Sequence, residues 1–284
     1  MDFLLHVLVT ASLVLIHALG YNVAFGRGKI LHFGPLGASA SSSYATFLAL
    51  QATDSFVLAA IAGLAMAAAV STIFWWLSLR LEPDGLGVMS IAVHLMILSV
   101  ILNWTSVTRG ALGMPGLPRP AFLQGLPAFA ALSVALAVAW FLLLRALDRS
   151  SFGRSLHALA EQEQHAASLG ISRARVHFWA FLLAGIGAFV SGALTADYLR
   201  ILHPNDFAFS FFIVYLMVVV AGKPGSVSGV ALSTVLIIFL REALRFLPLP
   251  PGAIGPVRLI LFGAILYGAV WWRRDTLFPQ PRNI

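Results

Sequence analysis

The chain carries 8 histidines and 11 acidic residues among 284, and each spacing that could make them catalytic fails on inspection. "GRGKI" at residues 26–30 pairs glycine with lysine but lacks the G-x-x-x-x-G-K-[ST] frame that cradles nucleotide phosphates. The histidines form no H-E-x-x-H pair, and the absence of cysteine excludes disulfides and thiolate-held metals. Ser41, Ser42 and Ser43 lie outside any G-x-S-x-G setting, so a nucleophile elbow is not in evidence. A non-catalytic chain that binds no cofactor or metal is expected. Two features remain as candidates for polar work in an apolar setting. His94 falls near the middle of an apolar run, where an ionisable group is either functional or a neutral ring bonded to a neighbouring helix. "REALR" at 241–245 places Arg241 and Arg245 one turn apart beside Glu242, either a solvated helix end or a docking contact for an external binding protein.

The longest polar passage is "SSFGRSLHALAEQEQHAASLGI", residues 150–171. Leu156, Leu159, Ala166 and Leu169 recur among polar side chains at helical spacing, which predicts a helix with a short apolar ridge and an acidic and amide face. Ser150 or Ser151 fits its start, and Gly170 fits the C′ position that stops it. Such a helix suits a partner's groove, although a solvated surface connection would read the same way.

The elements that must position these residues are set by composition. At 60% hydrophobic and 10% charged residues, the chain reads as an all-α polytopic membrane protein. Apolar runs near 3–20, 30–50, 56–78, 87–103, 124–144, 176–195, 208–221, 229–245 and 257–272 give about nine spans of a single domain, residues 1–284. Met1-Asp2-Phe3 has no basic residue ahead of its apolar run, unlike a signal peptide. If the passage after Leu144 faces the cytoplasm, 12 of the 18 basic residues fall on that side, among them Arg27, Lys29, Arg149, Arg154, Arg173, Arg273, Arg274 and Arg282. Arg109, Arg119, Arg200, Arg241, Arg245 and Arg258 fall on the other, so the expected orientation is N-terminus outside and C-terminus cytoplasmic. "GRGKILHFGPLGASASSSY" (26–44) and "AGKPGSVSGVALS" (221–233) put glycine, serine and proline where a lipid-facing helix prefers leucine, so these stretches break or pack tightly. Interrupted spans of this kind also point to a translocation path.

Several motifs together resemble the permease subunits of branched-chain amino-acid ABC transporters, the LivM-type half of the pair. Arg149, Phe152, Gly153, Arg154, Leu156, Glu161, Glu163, Ala166, Leu169, Gly170 and Ile171 fall on that family's R-S-x-F-G-R, E-x-E and L-G-I pattern. "HPNDFAFSFFIVYLMVVVAGKPGSVSG" is similar to its P-x-x-F segment, M-V-V run and glycine turn, through Pro204, Phe207, Ser210, Met217, Gly222, Gly225, Ser226 and Gly229. "TRGALGMPGLPRP" is similar to its T-G-G-x-x-G-L-x-G-I-P loop, and the likeness covers most of residues 103–245. Toward the front, Gly26, Leu31, Gly34 and Tyr44 match a G-Y-A-G-Q-L-S-L-G segment, but Ile30 replaces its glutamine and His32 its serine. Lys223 replaces the second glycine of the G-G turn, and Ser233 another glycine.

The resemblance implies that residues 150–171 are a cytoplasmic coupling helix seated in an ATPase subunit, with Phe152, Gly153, Arg154, Glu161, Glu163, Ala166 and Gly170 carrying the contact. It implies a second related permease, two ATPase subunits that bind ATP and Mg, an extracytoplasmic solute-binding protein, and a bacterial or archaeal inner membrane. Branched-chain or other hydrophobic amino acids are the implied cargo, relatives carrying urea, amides and aromatic acids. By analogy the path candidates are Gly26, His32, Gly34, Tyr44, His94, Asn103, Gly222, Gly225, Ser226 and Gly229. The alternative is a secondary transporter driven by an ion gradient, against which Asp54, Asp197 and Asp206 lie at span edges and leave the interiors without carboxylates.

Overall fold

A computed structural model describes residues 2–243, 246 and 251–272. Arg245, Arg273, Arg274 and Arg282 therefore lie outside the described residues, as does the side chain of Arg258. The long helices in chain order are α1 (Asp2–Tyr21), α2 (Gly34–Thr53), α3 (Phe56–Arg80) and α4 (Pro83–Asn103), followed by a short α5 (Thr105–Thr108). After a loop come α6 (Leu126–Arg149), α7 (Ser151–Glu161), α8 (Glu163–Ser168) and α9 (Arg173–Leu199). The chain then gives α10 (Phe209–Ala221), α11 (Val227–Ala243) and α12 (Pro251–Trp272).

By length and composition, 7 helical segments among the described residues are able to cross a membrane, against the nine expected. The two expected spans not among them are α2 and α11. α11 has 17 residues, short of the roughly 20 that a hydrocarbon core takes. α2 is rich in serine and glycine, and it survives because it is enclosed rather than exposed to lipid, packed against α3, α4 and α9. Three of its hydroxyls bond back to its own carbonyls, Ser41 to Gly37, Ser42 to Ala38 and Thr46 to Ser42, so the polarity of those three is satisfied without water. The expected break in this stretch lies ahead of α2, not in it. α1 widens into a π turn at Asn22–Arg27, and Lys29 then takes a φ of 54° before the chain re-enters helix at Gly34.

Turns and loops sort onto two ends of the bundle. At one end, a two-stranded ladder joins β1 (Met114–Pro115) to β2 (Ile201–Leu202), tying the α5–α6 loop to the loop after α9. Arg119 anchors the same loop. Its guanidinium donates to the carbonyls of Leu123, Asp197 and Tyr198, lies 4.5 Å over the ring of Phe129, and has Nε 3.7 Å from Asp197 Oδ1. Burial pulls this guanidinium below its ordinary range, and the Asp197 carboxylate acts against that pull. His6 of α1 shares a 2.7 Å hydrogen bond with Tyr198 at this N-terminal end. The far end gathers the π turn, the α10–α11 turn, α7 and α8, with Asn22 Oδ1 accepting from Gly225 N–H at 2.9 Å.

Candidate functional site

The polar passage is two helices and not one. Ser150 caps α7, its Oγ accepting from Phe152 N–H at 3.2 Å. The helix stops after Glu161 because Gln162 is extended, with φ −153° and ψ 96°, and α8 restarts at Glu163. α8 ends in a Schellman motif: Ile171 N–H donates to the Ala166 carbonyl, Gly170 N–H donates to that of Ala167, and Gly170 holds φ 79°.

The apolar ridge of this pair turns inward. Leu156, Leu159 and Ala166 are buried in a cluster with Ala24, Val176, Ala180 and Ala184 of the chain's own bundle. Burial of each leucine contributes about 1.5–3 kcal/mol, so the ridge is spent on attaching the pair to the membrane helices. Gly153 is buried in the α6–α7 corner, where a Cβ would overlap the carbonyl of Asp148. The carboxylates are also engaged within the chain. Glu161 receives Lys29 at 2.8 Å, Glu163 receives Arg173 at 3.0 Å, and Asp148 receives Arg27 at 2.9 Å. Arg173 also donates to the carbonyl of Ser78, and Trp75 Nε1–H donates to that of Ala174 at 2.7 Å, which fastens the end of α3 to the start of α9. The ridge expected to enter an outside groove is instead packed against the chain's own bundle, while Glu161 and Glu163 keep about half of their side-chain surface exposed beside their basic partners. The outward face includes Arg154, His157, Glu161, Gln162, Glu163, Gln164, His165 and Leu169, the last 80% exposed. Phe152 is half-buried.

The candidate path residues fall into separate places. Gly26 lets the π turn meet the α10–α11 turn, since a Cβ there would strike Asn22 Oδ1 and the Gly225 nitrogen. Gly222 and Gly229 allow α10 and α11 to cross closely, each lacking the Cβ that would run into the other's backbone. Ser226 caps the start of α11, its Oγ accepting from Gly229 N–H at 3.1 Å. This group therefore builds a tight turn. His32 is buried among the rings of Tyr21, Phe74 and Phe181, and with Gly34 it lines a void of about 10 Å³ beside α9. A Cβ on Gly34 would sit 2.6 Å from the Phe74 ring. Tyr44 is buried toward the N-terminal end, and His94 is buried on the face of α4 that meets α2 at Gly37. Asn103 is turned outward, bonded back to Ser99 O at 2.8 Å, and joins none of the others.

Sequence reasoning missed a cavity of about 290 Å³, which opens at the N-terminal end between α1, α9, α10 and α11. Arg241 and Glu242 line it, facing inward: Arg241 Nε donates to Glu242 Oε1 at 3.0 Å, and Glu242 is 1% exposed. The burial of Glu242 fits neither of the two readings the sequence leaves open for this stretch, a solvated helix end or an outward docking contact. Asp206 lines the cavity too, at a position that reads as a span edge in sequence. Only the charge of Asp206, Arg241 and Glu242 in so apolar a chain could have flagged the place, and nothing in sequence joins residues so far apart.

Among the described residues, seven apolar helices able to span a membrane, an enclosed hydroxyl-rich helix and a polar helical pair fastened to one end describe a multi-pass all-α membrane protein. The profile of the family described as branched-chain amino acid transport system, permease component, matches residues 3–270, and this chain belongs to that family. It is 27% identical over 305 residues to the high-affinity branched-chain amino acid transport system permease protein LivM of Escherichia coli K12, covering 96% of this chain and 70% of that one. It is 26% identical over 298 residues to the protein of the same name from Salmonella typhimurium LT2, covering 94% of this chain and 68% of the relative. No solved structure matches the chain.

Proposed function

We propose that this chain is the non-catalytic permease subunit of an ATP-driven importer for branched-chain or other hydrophobic amino acids. Its partners in this reading are a second related permease, two ATPase subunits that hold ATP and Mg, and an extracytoplasmic solute-binding protein. Residues 150–171 couple to an ATPase from the cytoplasmic side of the inner membrane, and the N-terminus faces outside. The observation that carries the reading is the anchoring of α7 and α8. A segment buried on its inner face and ion-paired to Lys29 and Arg173 moves with the bundle, so force applied to its outer face reaches α1, α3 and α9. The docking face in this reading is Arg154, His157, Glu161, Glu163, Gln164, His165 and Leu169, with Gly153 and Gly170 shaping the segment. Closure of the ATPases rocks the membrane helices, and the chemistry stays in the partner subunits.

The test is purification of the native complex in mild detergent, with ATP hydrolysis assayed on what is recovered. ATPase subunits should accompany the chain and be lost when residues 150–171 are replaced by a neutral linker that preserves membrane insertion. A chain that purifies alone and moves leucine after reconstitution without ATP would overturn the proposal in favour of a gradient-driven transporter.

A further inference from the structure

Where α3 meets α9, at the end of the bundle that carries α7 and α8, aromatic and basic side chains gather beside the membrane. The two helices run antiparallel: Gly63 of α3 lies against Phe189 of α9, Ser71 against Gly185, and Ser78 against Arg173. Trp75 fixes the register there, its Nε1–H donating to Ala174 O at 2.7 Å and its ring standing 5.3 Å from that of Phe178. Trp76 and Trp179 follow Trp75 and Phe178 in sequence, lie within spanning helices, and are 51% and 52% exposed. One residue along a helix is a right-handed rotation of about 100°. Because the helices are antiparallel, that same step turns both indoles to one side of the seam, the side that faces lipid.

Each of these tryptophans has an arginine one turn away, nearer the end of its span. The guanidinium of Arg80 lies 5.7 Å over the Trp76 ring. Arg175, next to Ala174, is exposed in the first turn of α9. In the register that Trp75 and Arg173 set, the two arginines are offset along the seam by about one turn, roughly 6 Å. Among the described residues no ion pair engages either one, whereas the neighbouring Arg173 holds Glu163 at 3.0 Å. Glu82 and Asp84, the acids nearest Arg80 in sequence, open α4, which packs mainly on α2. A cation in the first turn of a helix opposes the helix dipole, so an anion beside Arg175 is favoured on two counts.

We propose that this patch binds the headgroup of one anionic phospholipid, its phosphate between Arg80 and Arg175, its ester groups beside the Trp76 and Trp179 N–H groups, and its chains against the membrane face of α3. Tryptophan belongs at the headgroup level, and basic pockets between membrane helices select anionic lipid. A zwitterionic lipid carries its own cation beside the phosphate and leaves the pair of arginines unneutralised. Arg145 of α6 gives the contrast: it lies 6.0 Å over Phe141, a single arginine on a ring of its own helix. The bound lipid staples α3 to α9 from outside, across the contact that Trp75 and Arg173 make from within. The inference needs only that α3 and α9 span the membrane, and it stands whatever solute the chain moves.

The experiment is native mass spectrometry of the chain purified with whatever subunits accompany it, delipidated in detergent and then given phosphatidylglycerol or phosphatidylcholine with the same acyl chains. Wild type should retain one phosphatidylglycerol about tenfold or more over phosphatidylcholine. Arg80→Gln combined with Arg175→Gln, at an unfolding midpoint matched to wild type, should weaken that retention about tenfold or more, since each basic residue near anionic lipid contributes about fivefold. Arg80→Lys combined with Arg175→Lys should keep most of it, and Arg145→Gln should bind as wild type does. Equal retention of the two lipids by wild type overturns the proposal without any variant. Full retention by the double glutamine complex also overturns it, as does an equal loss in Arg145→Gln, which would make the attraction general to this basic end of the bundle. sn-Glycerol 3-phosphate alone should not bind; binding as tight as that of the lipid would make this a site for soluble phosphate and overturn the lipid. A complex that takes up no phosphatidylglycerol where the isolated chain does would give the patch to a partner subunit, and overturns the proposal as well.

Discussion

Gly153→Ala tests how the α7–α8 pair is held. The added Cβ would overlap the Asp148 carbonyl oxygen and lie 2.6 Å from its carbon and 2.8 Å from Asp148 Cα. All three are backbone atoms, so no rotamer change relieves the overlap, and the α6–α7 corner must open. Overpacking of this kind costs typically 1–3 kcal/mol, comparable to the burial of Leu156 or Leu159 that holds the pair down. The expected outcome is a chain that inserts normally but recovers several-fold less ATPase and couples poorly. Gly170→Ala supplies the contrast. It meets nothing within 4 Å, yet its φ of 79° costs an L-residue about 1–2 kcal/mol locally, confined to the end of α8. Co-purification yield and ATP-dependent leucine uptake, measured side by side, should fall far more for Gly153→Ala than for Gly170→Ala. Equal and undiminished recovery of ATPase with Gly153→Ala would refute the claim that this corner positions the docking face.

Lys223 holds φ 75° where the resembling pattern has glycine, so Lys223→Gly should raise thermal stability by about 0.5–1 kcal/mol, read as an upward shift of the unfolding midpoint in detergent. Asn22→Ala removes the acceptor for the Gly225 N–H and should cost about 1–3 kcal/mol in the same assay. Charge reversal at both Glu161 and Glu163 sets them against Lys29 and Arg173. Because these pairs are half-exposed, stability should change by under about 1 kcal/mol per pair while ATPase recovery drops; unchanged recovery and unchanged uptake would count against the anchoring account.

The helical elements were legible because long apolar runs leave few alternatives once the solvent is lipid. Helices cover each of the nine runs that composition marks out, with boundaries shifted by a few residues. Length and apolarity do not single out α2 or α11 as spans: α2 is enclosed by protein and tolerates serine and glycine, and α11 has 17 residues. Within 150–171 the caps at Ser150 and Gly170 were readable, being local chemistry. The break at Gln162 was not, and neither was the inward turn of the ridge: both depend on Val176, Ala180 and Lys29, which sequence does not place nearby. For the same reason Asp206 and Glu242 read as edge residues, and His6 drew no reading at all. They meet only when α1, α10 and α11 are brought side by side with α9. The glycine pattern of the resembling loops gains a physical reason, since Arg109 and Lys223 stand at its glycine positions with φ of 61° and 75°.

The π turn at the end of α1 carries one more consequence. Its Gly28 N–H reaches back to the Val23 carbonyl, a ladder step one residue wider than α-helical spacing. An α-helix carrying one surplus residue takes this form, so the turn can be read as an insertion that was absorbed without breaking the span. Removing one residue between Asn22 and Arg27 would let the ladder close to ordinary pitch and swing Arg27 about 100° around the axis, away from Asp148. Relatives of different length in this stretch would then differ in which basic residue meets α6, and an alignment that scores only identity would pass over the change.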